Sequence, residues 1–140
     1  FMRDAANKVQ LQLDADSHFE LTDAMASAAP VPLTPELDFR QQRPLGTAVY
    51  EHLLTGRQSS EFAARIIYPD QGISLTMFAD SLFQHLLLFA PEGKPFFALE
   101  PQTNANDGFN LADKGVQESG VFVLEPGESK TGMVSLQVES

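Results

Sequence analysis

Apolar and polar residues alternate through this chain in short runs, and a turn signal closes most of them. A sequence patterned this way can form strands but leaves little room for long helices. Val9, Leu11 and Leu13 alternate with Gln10 and Gln12, the period of two expected of a strand with one buried face. Phe62 to Tyr68 is rich in β-forming residues and stops at Pro69-Asp70-Gln71-Gly72, which carries the Pro, Asp and Gly chemistry of a tight turn. A hairpin is expected there, because Ile73, Leu75 and Met77 alternate with Ser74 and Thr76 on the far side. Leu86 and Leu88 continue the pattern after a break near Asp80-Ser81, and Pro91 to Pro95 reads as a turn leading into Phe96–Glu100. Val121 to Leu124 is a further apolar run, ended by Glu125-Pro126-Gly127-Glu128, and Val134, Leu136 and Val138 alternate to the end. Pro30, Pro32, Pro35 and Pro44 exclude a continuous central strand or long helix from residues 22–47. That region is expected to be an ordered loop with short strands at most. Helix is expected only in short pieces, for instance near Thr47–Leu54. The pattern as a whole predicts an all-β sandwich. No internal repeat, low-complexity tract or flexible linker divides it, so residues 1–140 are expected to pack as a single domain.

Composition narrows the chemistry. The formal net charge of -10 opposes attraction to phosphate backbones or anionic lipid, so neither nucleic acid nor a membrane is an expected partner. No apolar run approaches the roughly 18 residues that a membrane span needs. With no cysteine there is no disulfide framework, thiolate nucleophile or cysteine zinc site. The first residues, Phe-Met-Arg-Asp, have the pattern of neither a signal peptide nor a transit peptide, and the expected location is the cytoplasm. No Gly-x-Ser-x-Gly elbow and no Gly-rich phosphate loop is present, which leaves serine hydrolase and nucleotide-binding chemistry without support.

Glu100 closes an apolar strand and shares a face with Phe96 and Ala98, so its carboxylate is expected to be partly desolvated near an open strand end. Desolvation makes a carboxylate a better base near neutrality. By position alone, a structural ion pair or a bond to backbone amides is the commoner role. Gln102, Thr103, Asn104, Asn106, Asp107 and Asn110 form an amide-rich segment suited to sugar hydroxyls. Such residues equally often build turns, the favoured role for Asp107-Gly108. Glu51 and His52 adjoin, and an acid beside an imidazole can orient a hydroxyl or shuttle protons, although such pairs are more often simply solvated. His18, His52 and His85 lack the spacing of a helical metal site, so no metal is expected. His85 shares a face with Leu87 and Phe89 and is expected to be a hydrogen-bonded core histidine.

Three segments then carry a family likeness: Phe97-Ala98-Leu99-Glu100-Pro101-Gln102-Thr103, Asn106-Asp107-Gly108-Phe109-Asn110 and Leu124-Glu125-Pro126-Gly127-Glu128. Together they resemble the C-terminal signature of aldose 1-epimerases. Leu37-Asp38-Phe39-Arg40 and Arg43-Pro44-Leu45-Gly46 resemble that family's Asp-Phe-Arg and Leu-Gly segment, in the expected order. The resemblance implies the C-terminal part of a galactose mutarotase-like fold, a large antiparallel β-supersandwich whose cleft binds a pyranose. It carries the family's catalytic base onto Glu100 and its Asp-His segment onto Glu51 and His52 as substrate-binding residues. Glu51 is one methylene longer than the aspartate it replaces, and the family's glutamine on the strand before the base falls on Ser74. The family's general acid, a histidine in a His-Pro-Tyr-Phe or similar segment, has no match. The resemblance implies that it lies upstream together with the substrate-binding arginine, with Phe1 as the last residue of that segment.

The activity so implied is interconversion of the α and β anomers of a hexose, with no cofactor. Glu100 takes the anomeric hydroxyl proton, the absent histidine protonates the ring oxygen, and the roles reverse on closure. A positioned acid or base contributes about a hundred- to ten-thousand-fold, so the chain alone is expected to be nearly inactive. The expected partners are a monosaccharide and either the missing N-terminal half or a second copy in a homodimer. Two alternatives stay open: a non-catalytic carbohydrate-binding domain of the same fold, and an epimerase for phosphorylated sugars, which needs a basic pocket.

Overall fold

A computed structural model describes residues 1–3, 6–58 and 62–140. Among them, twelve strands run in the order β1 (Gln10–Leu13), β2 (Ser17–Phe19), β3 (Leu21–Thr22), β4 (Met25–Ala26), β5 (Val31–Pro32), β6 (Arg43–Pro44), β7 (Tyr50–Thr55), β8 (Ala64–Tyr68), β9 (Ile73–Ala79), β10 (His85–Ala90), β11 (Ala98–Gln102) and β12 (Val134–Glu139). A six-residue helix, α1 (Gly108–Asp113), and a 3-10 turn (Gln117–Ser119) stand between β11 and β12. Two five-stranded sheets have the orders β12-β9-β8-β1-β6 and β11-β10-β7-β2-β5, and β3 and β4 form a small hairpin. Every pairing is antiparallel.

The alternation read from the sequence decides which side of each sheet is dry. Leu11 and Leu13 of β1, Ala64 and Ile66 of β8 and Met77 of β9 face Leu54, Leu86, Leu88, Ala90 and Leu99 of the second sheet in one buried cluster. The Pro-rich region closes its end with Leu37, Phe39 and Leu45, held by Leu13 N–H donating to Phe39 O at 2.9 Å and Leu45 N–H to Val9 O at 2.9 Å. Tyr68 pairs Ile73 across the Pro69–Gly72 turn, the hairpin that the sequence predicts. That turn needs a glycine, since Gly72 takes φ 63°.

A third layer covers part of the second sheet's outer side. Phe19 and Leu53 are buried there with Ala26, Ala105 and Leu111, and Leu87 and Val116 pack against them. His85 lies under the same layer and is fully buried, as a core histidine should. Its Nδ1 stands 2.9 Å from Thr55 Oγ1, and Phe19 meets it edge-on at 5.7 Å. Gly120 lies over the ring at φ 71°, where a Cβ would stand 2.2 Å from Thr103 O and 2.8 Å from His85 Nε2. Burial pushes the His85 imidazole down to about 4, against the opposing pull of the Ser119 carbonyl.

Three expectations are corrected. The segment Thr47–Leu54 holds no helix; Tyr50–Thr55 is β7, between β10 and β2, with Leu53 and Leu54 buried on opposite faces of the sheet. The helix forms instead in the amide-rich segment, where Asp107 enters in the left-handed conformation and Asn110 Nδ2 donates to its Oδ1 at 2.6 Å. Val121–Leu124 forms no strand, because it pairs with no neighbour, and Phe122, Val123 and Leu124 are exposed. β12 does pair with β9, and its register sets Val134, Leu136 and Val138 beside the core-facing Ala79, Met77 and Leu75. All three are nonetheless 41–63% exposed, as befits the edge strand of its sheet.

Leu54→Ala should therefore cost about 2–5 kcal/mol, whereas the half-exposed Leu136→Ala should cost about 1 kcal/mol or less. Urea midpoints at an unchanged m-value measure both. His85 gives a pH dependence of definite sign. The unfolded chain takes up its proton as pH falls below about 6.5, while the folded chain refuses it until about 4. The stabilisation is complete above that window and is lost on descending through it, by on the order of 3 kcal/mol. His85→Leu should flatten the pH 4–6.5 part of the stability curve.

Candidate functional site

Register alone assembles the outer face of the second sheet. Leu87 of β10 stands opposite Glu100 of β11 on one side and Leu53 of β7 on the other, while Phe89 stands opposite Ala98 and Glu51. Paired residues share a face and alternate residues return to it. Glu51, Leu53, Leu87, Phe89, Ala98 and Glu100 therefore lie on one side, away from the sandwich core. The third layer buries Leu53 and packs on Leu87, but Glu51 and Glu100 stay exposed and Phe89 and Ala98 half-exposed.

Glu100 is the third residue of β11, not its last, and it is exposed, without a hydrogen bond or ion pair among the described residues. The expected partial desolvation is thus not found. β11 is an edge strand, and Phe96, two residues before Ala98, is itself exposed, so nothing shields the carboxylate from that side. The carboxylate is neither turned into the core nor neutralised by an arginine.

The Glu51–His52 pair is divided by the strand that carries it. Glu51 faces the open side; His52 faces the sandwich, opposite Leu88. There it is half-buried, edge-on to Tyr50 at 6.2 Å and to the buried His18 at 6.3 Å. Burial lowers its proton affinity, the neighbouring His18 lowers it further, and Glu51 opposes both. Tyr50 continues this stack to Phe39 at 5.7 Å, with the Arg43 guanidinium 4.8 Å above the Phe39 ring. Adjacency in sequence suggested a working pair, and strand geometry separates its members. Ser74, onto which the likeness carried a glutamine of the strand before the base, does not stand beside β11. It lies on β9, in the other sheet, opposite Ile67 and Glu139. The strand that precedes β11 and pairs with it is β10, and the residue opposite Glu100 is Leu87.

Most of the amide-rich segment serves the loop itself. Asn106 Nδ2 donates to Ala24 O at 2.7 Å, which ties the third layer to the β3–β4 hairpin, and Asn104 Nδ2 donates within the loop to Ala105 O at 3.1 Å. Asp107-Gly108 forms the helix entry described above, in keeping with its turn chemistry. Phe89 and Leu87 are the site residues that sequence reasoning passed over. Their alternation with His85 was legible, but their position between two glutamates comes from long-range pairing.

A cavity of about 610 Å³ opens at the far end of β7 and β10, lined in part by Thr55, Arg57, Asp80, Phe83 and Glu118. Neither Glu51 nor Glu100 lines it. Its arginine is spent on the fold: Arg57 Nη1 donates to Phe83 O at 2.6 Å and Nη2 to Ala79 O at 3.0 Å, and Nε lies 3.6 Å from Asp14 Oδ2. Among the described residues no group of three or more His, Cys, Asp or Glu is placed to hold a metal ion.

No protein-family model matches the sequence, and no curated protein matches it. Solved structures do. A candidate aldose 1-epimerase of Escherichia coli K12 superposes with a TM-score of 0.79 at 26% identity, covering 99% of this chain and 47% of that one. A galactose mutarotase-like protein of Clostridium acetobutylicum gives a TM-score of 0.80 at 20% identity, covering 95% and 42%. An aldose epimerase homologue of C. elegans gives 0.73 at 17%, covering 95% and 46%. This chain spans less than half the length of each. The antiparallel topology and these likenesses agree: the chain carries the galactose mutarotase-like fold of the aldose 1-epimerase proteins that it resembles.

Proposed function

We propose that this chain is the C-terminal part of an aldose 1-epimerase, with Glu100 as general base and the acid supplied by an upstream histidine. The observation that carries the reading is the free edge of β11. Met2 bridges Phe96 in antiparallel fashion, and Phe97 N–H donates to Phe1 O at 2.9 Å. In a longer chain that keeps this register, the residue before Phe1 falls opposite Ala98 and the third before it falls opposite Glu100. A residue there shares Glu100's face at cross-strand distance. If Phe1 closes a His-Pro-Tyr-Phe segment, that third residue is the histidine.

The chemistry then balances without a cofactor. Glu100 removes the anomeric hydroxyl proton as the C1–O5 bond breaks, and the histidine protonates O5. Rotation about C1–C2 presents the other carbonyl face, and the reverse transfers close the ring. Glu51, on the same face one strand beyond β10, holds a sugar hydroxyl. His52, on the far side of the sheet, has no part in this reading. Since the described residues place no imidazole beside Glu100, the 140-residue chain alone should not accelerate mutarotation. The absence of a cofactor and a cytoplasmic location complete the proposal.

The test is polarimetry of fresh α-galactose or α-glucose with the chain joined to its upstream half. Glu100→Gln keeps the shape and removes the base, and should lower kcat by about a hundred- to ten-thousand-fold with KM within a few-fold. Full activity in that variant would exclude Glu100 as the base.

A further inference from the structure

We infer that the side of the sandwich closed by β11 and β12 is a docking surface for the part of the protein upstream of Phe1, which adds a strand to the free edge of β12 and covers the apolar row that β12 turns inward. The inference rests on the proposed reading for there being such a part, and deepens it by naming the surface that receives it.

Chain order brings the two free edges together. Counted from β12 in one sheet and from β11 in the other, β9 and β10 are second, β8 and β7 third, β1 and β2 fourth, β6 and β5 fifth. Each of these pairs is consecutive in sequence, so each connection crosses to the strand that lies over it. β11 and β12 therefore close the same side. The opposite side is finished as protected edges are: β5 and β6 are two residues long and carry Pro32 and Pro44. β12 has none of these devices. It is six residues long, its one charge is Glu139, and its register with β9 runs unbroken from Val134–Ala79 to Glu139–Ser74. Alternate N–H and C=O groups along such a ladder point to the free side, ready to pair.

The side chains of β12 are open as well as its backbone. An edge position uncovers one line of backbone groups, and it does not by itself uncover residues that face a core. Val134, Leu136 and Val138 share the face of Ala79, Met77 and Leu75 and are 41–63% exposed, while Met77, one strand inward, is 4% exposed. The second sheet thus stops short of their inner side. Of the twelve large apolar residues exposed among the described ones, seven lie from Phe122 to Val138. A concentration of that kind marks a surface that another element covers.

The occupant follows from three observations. Residues 1–3 already lie against the beginning of β11's edge, through the Met2–Phe96 bridge and Phe97 N–H donating to Phe1 O, and Tyr68 of the first sheet donates its hydroxyl to Met2 O at 3.1 Å. Chain preceding Phe1 therefore emerges between the two sheets' open edges. A strand laid beyond β11 has inward side chains too, and facing sheets bury their inner sides against one another. The open row of β12 is what stands across from it. Lastly, this chain spans less than half of each solved structure that it resembles. A second copy fits less well. It would bring another formal charge of -10 to the surface, and pairing β12 with itself would leave unextended the edge that residues 1–3 begin to fill.

Amide hydrogen exchange, read on the 140-residue chain and on the chain joined to its upstream part, tests this. In the chain alone, the β12 amides that point away from β9 should exchange nearly as fast as in unstructured peptide at every protein concentration. In the joined protein they should slow by about a hundred-fold or more. Leu136→Lys should keep native circular dichroism in the chain alone, since Leu136 is half-exposed there, and should restore fast exchange along β12 in the joined protein. Val138→Lys, at a more exposed position, carries the test should Leu136→Lys fail to fold. Met25→Lys, at an exposed apolar residue of the β3–β4 hairpin, should change neither. Amides of β12 that stay fast in the joined protein overturn the proposal, as does a folded Leu136→Lys without effect there. Protection in the chain alone that rises with its concentration, together with a sedimenting dimer that Leu136→Lys abolishes, gives the surface to a second copy and overturns it too. A joined protein with β12 protected and no mutarotation would sink the epimerase and spare the docking surface, and an active one with β12 unprotected would do the reverse.

Discussion

Strand β10 is buried from both sides over most of its length, and the position of every group on the candidate site follows from that. Leu86, Leu88 and Ala90 fill the sandwich core, while His85 and Leu87 lie against the third layer. A strand so constrained fixes the register of both neighbours. Slipping β11 by one residue would drive Glu100 into the core beside Leu88 and expel Leu99, and burying an unpaired carboxylate costs several kcal/mol. Core packing on one face thus dictates which side chains stand on the other. The site has no need of a preference of its own for Glu100 to face outward, because Leu99 and Phe97 in the core enforce it.

The third layer shapes the site by covering only part of that outer face. Its apolar residues, Ala105, Leu111 and Val116, settle on Phe19, Leu53 and Leu87, and Asn106 fastens the loop to Ala24. Gly120 lets the chain pass close above His85, an approach that any side chain would block. The layer stops short of Phe89, whose register partners are the exposed Glu51 and the small Ala98. The covered and the open parts of that face are thus set by the same few contacts.

Much of the fold was legible because burial on one face imposes a period of two. β1, the β8–β9 hairpin and β10 show it, β12 alternates in sequence although its apolar residues stay exposed, and the Pro-rich stretch from 22 to 47 behaves as its prolines require. β7 was not legible. Leu53 and Leu54 are buried on opposite faces, so a strand covered on both sides loses the alternation that would announce it. Val121–Leu124 failed for the opposite reason: β-forming residues make no strand without a partner. At the site, Glu100 was reached through the family likeness, since its own surroundings argued for a structural role. Glu51, His52 and Ser74 were likewise reached through that likeness; the sheet sets Glu51 and His52 on opposite faces and carries Ser74 on β9, apart from β11, an arrangement set by long-range pairing. Phe89 went unremarked because its neighbours on either side are residues 51 and 98, and no local pattern carries that information.

The exposure of Glu100 fits the same physics. A carboxylate in contact with water shares its charge with solvent, and covering it makes it a stronger base. In this chain the β10 side of Glu100 is closed and the other edge of β11 is open. Residues 1–3 already lie along the beginning of that edge, from Pro95 to Phe97. Extending their register would carry backbone past Ala98 to Glu100 and shield its exposed side. The same strand that delivers an acid would then desolvate the base. On the proposed reading, the desolvation expected from the sequence of β11 would then come from that pairing and not from β11 itself.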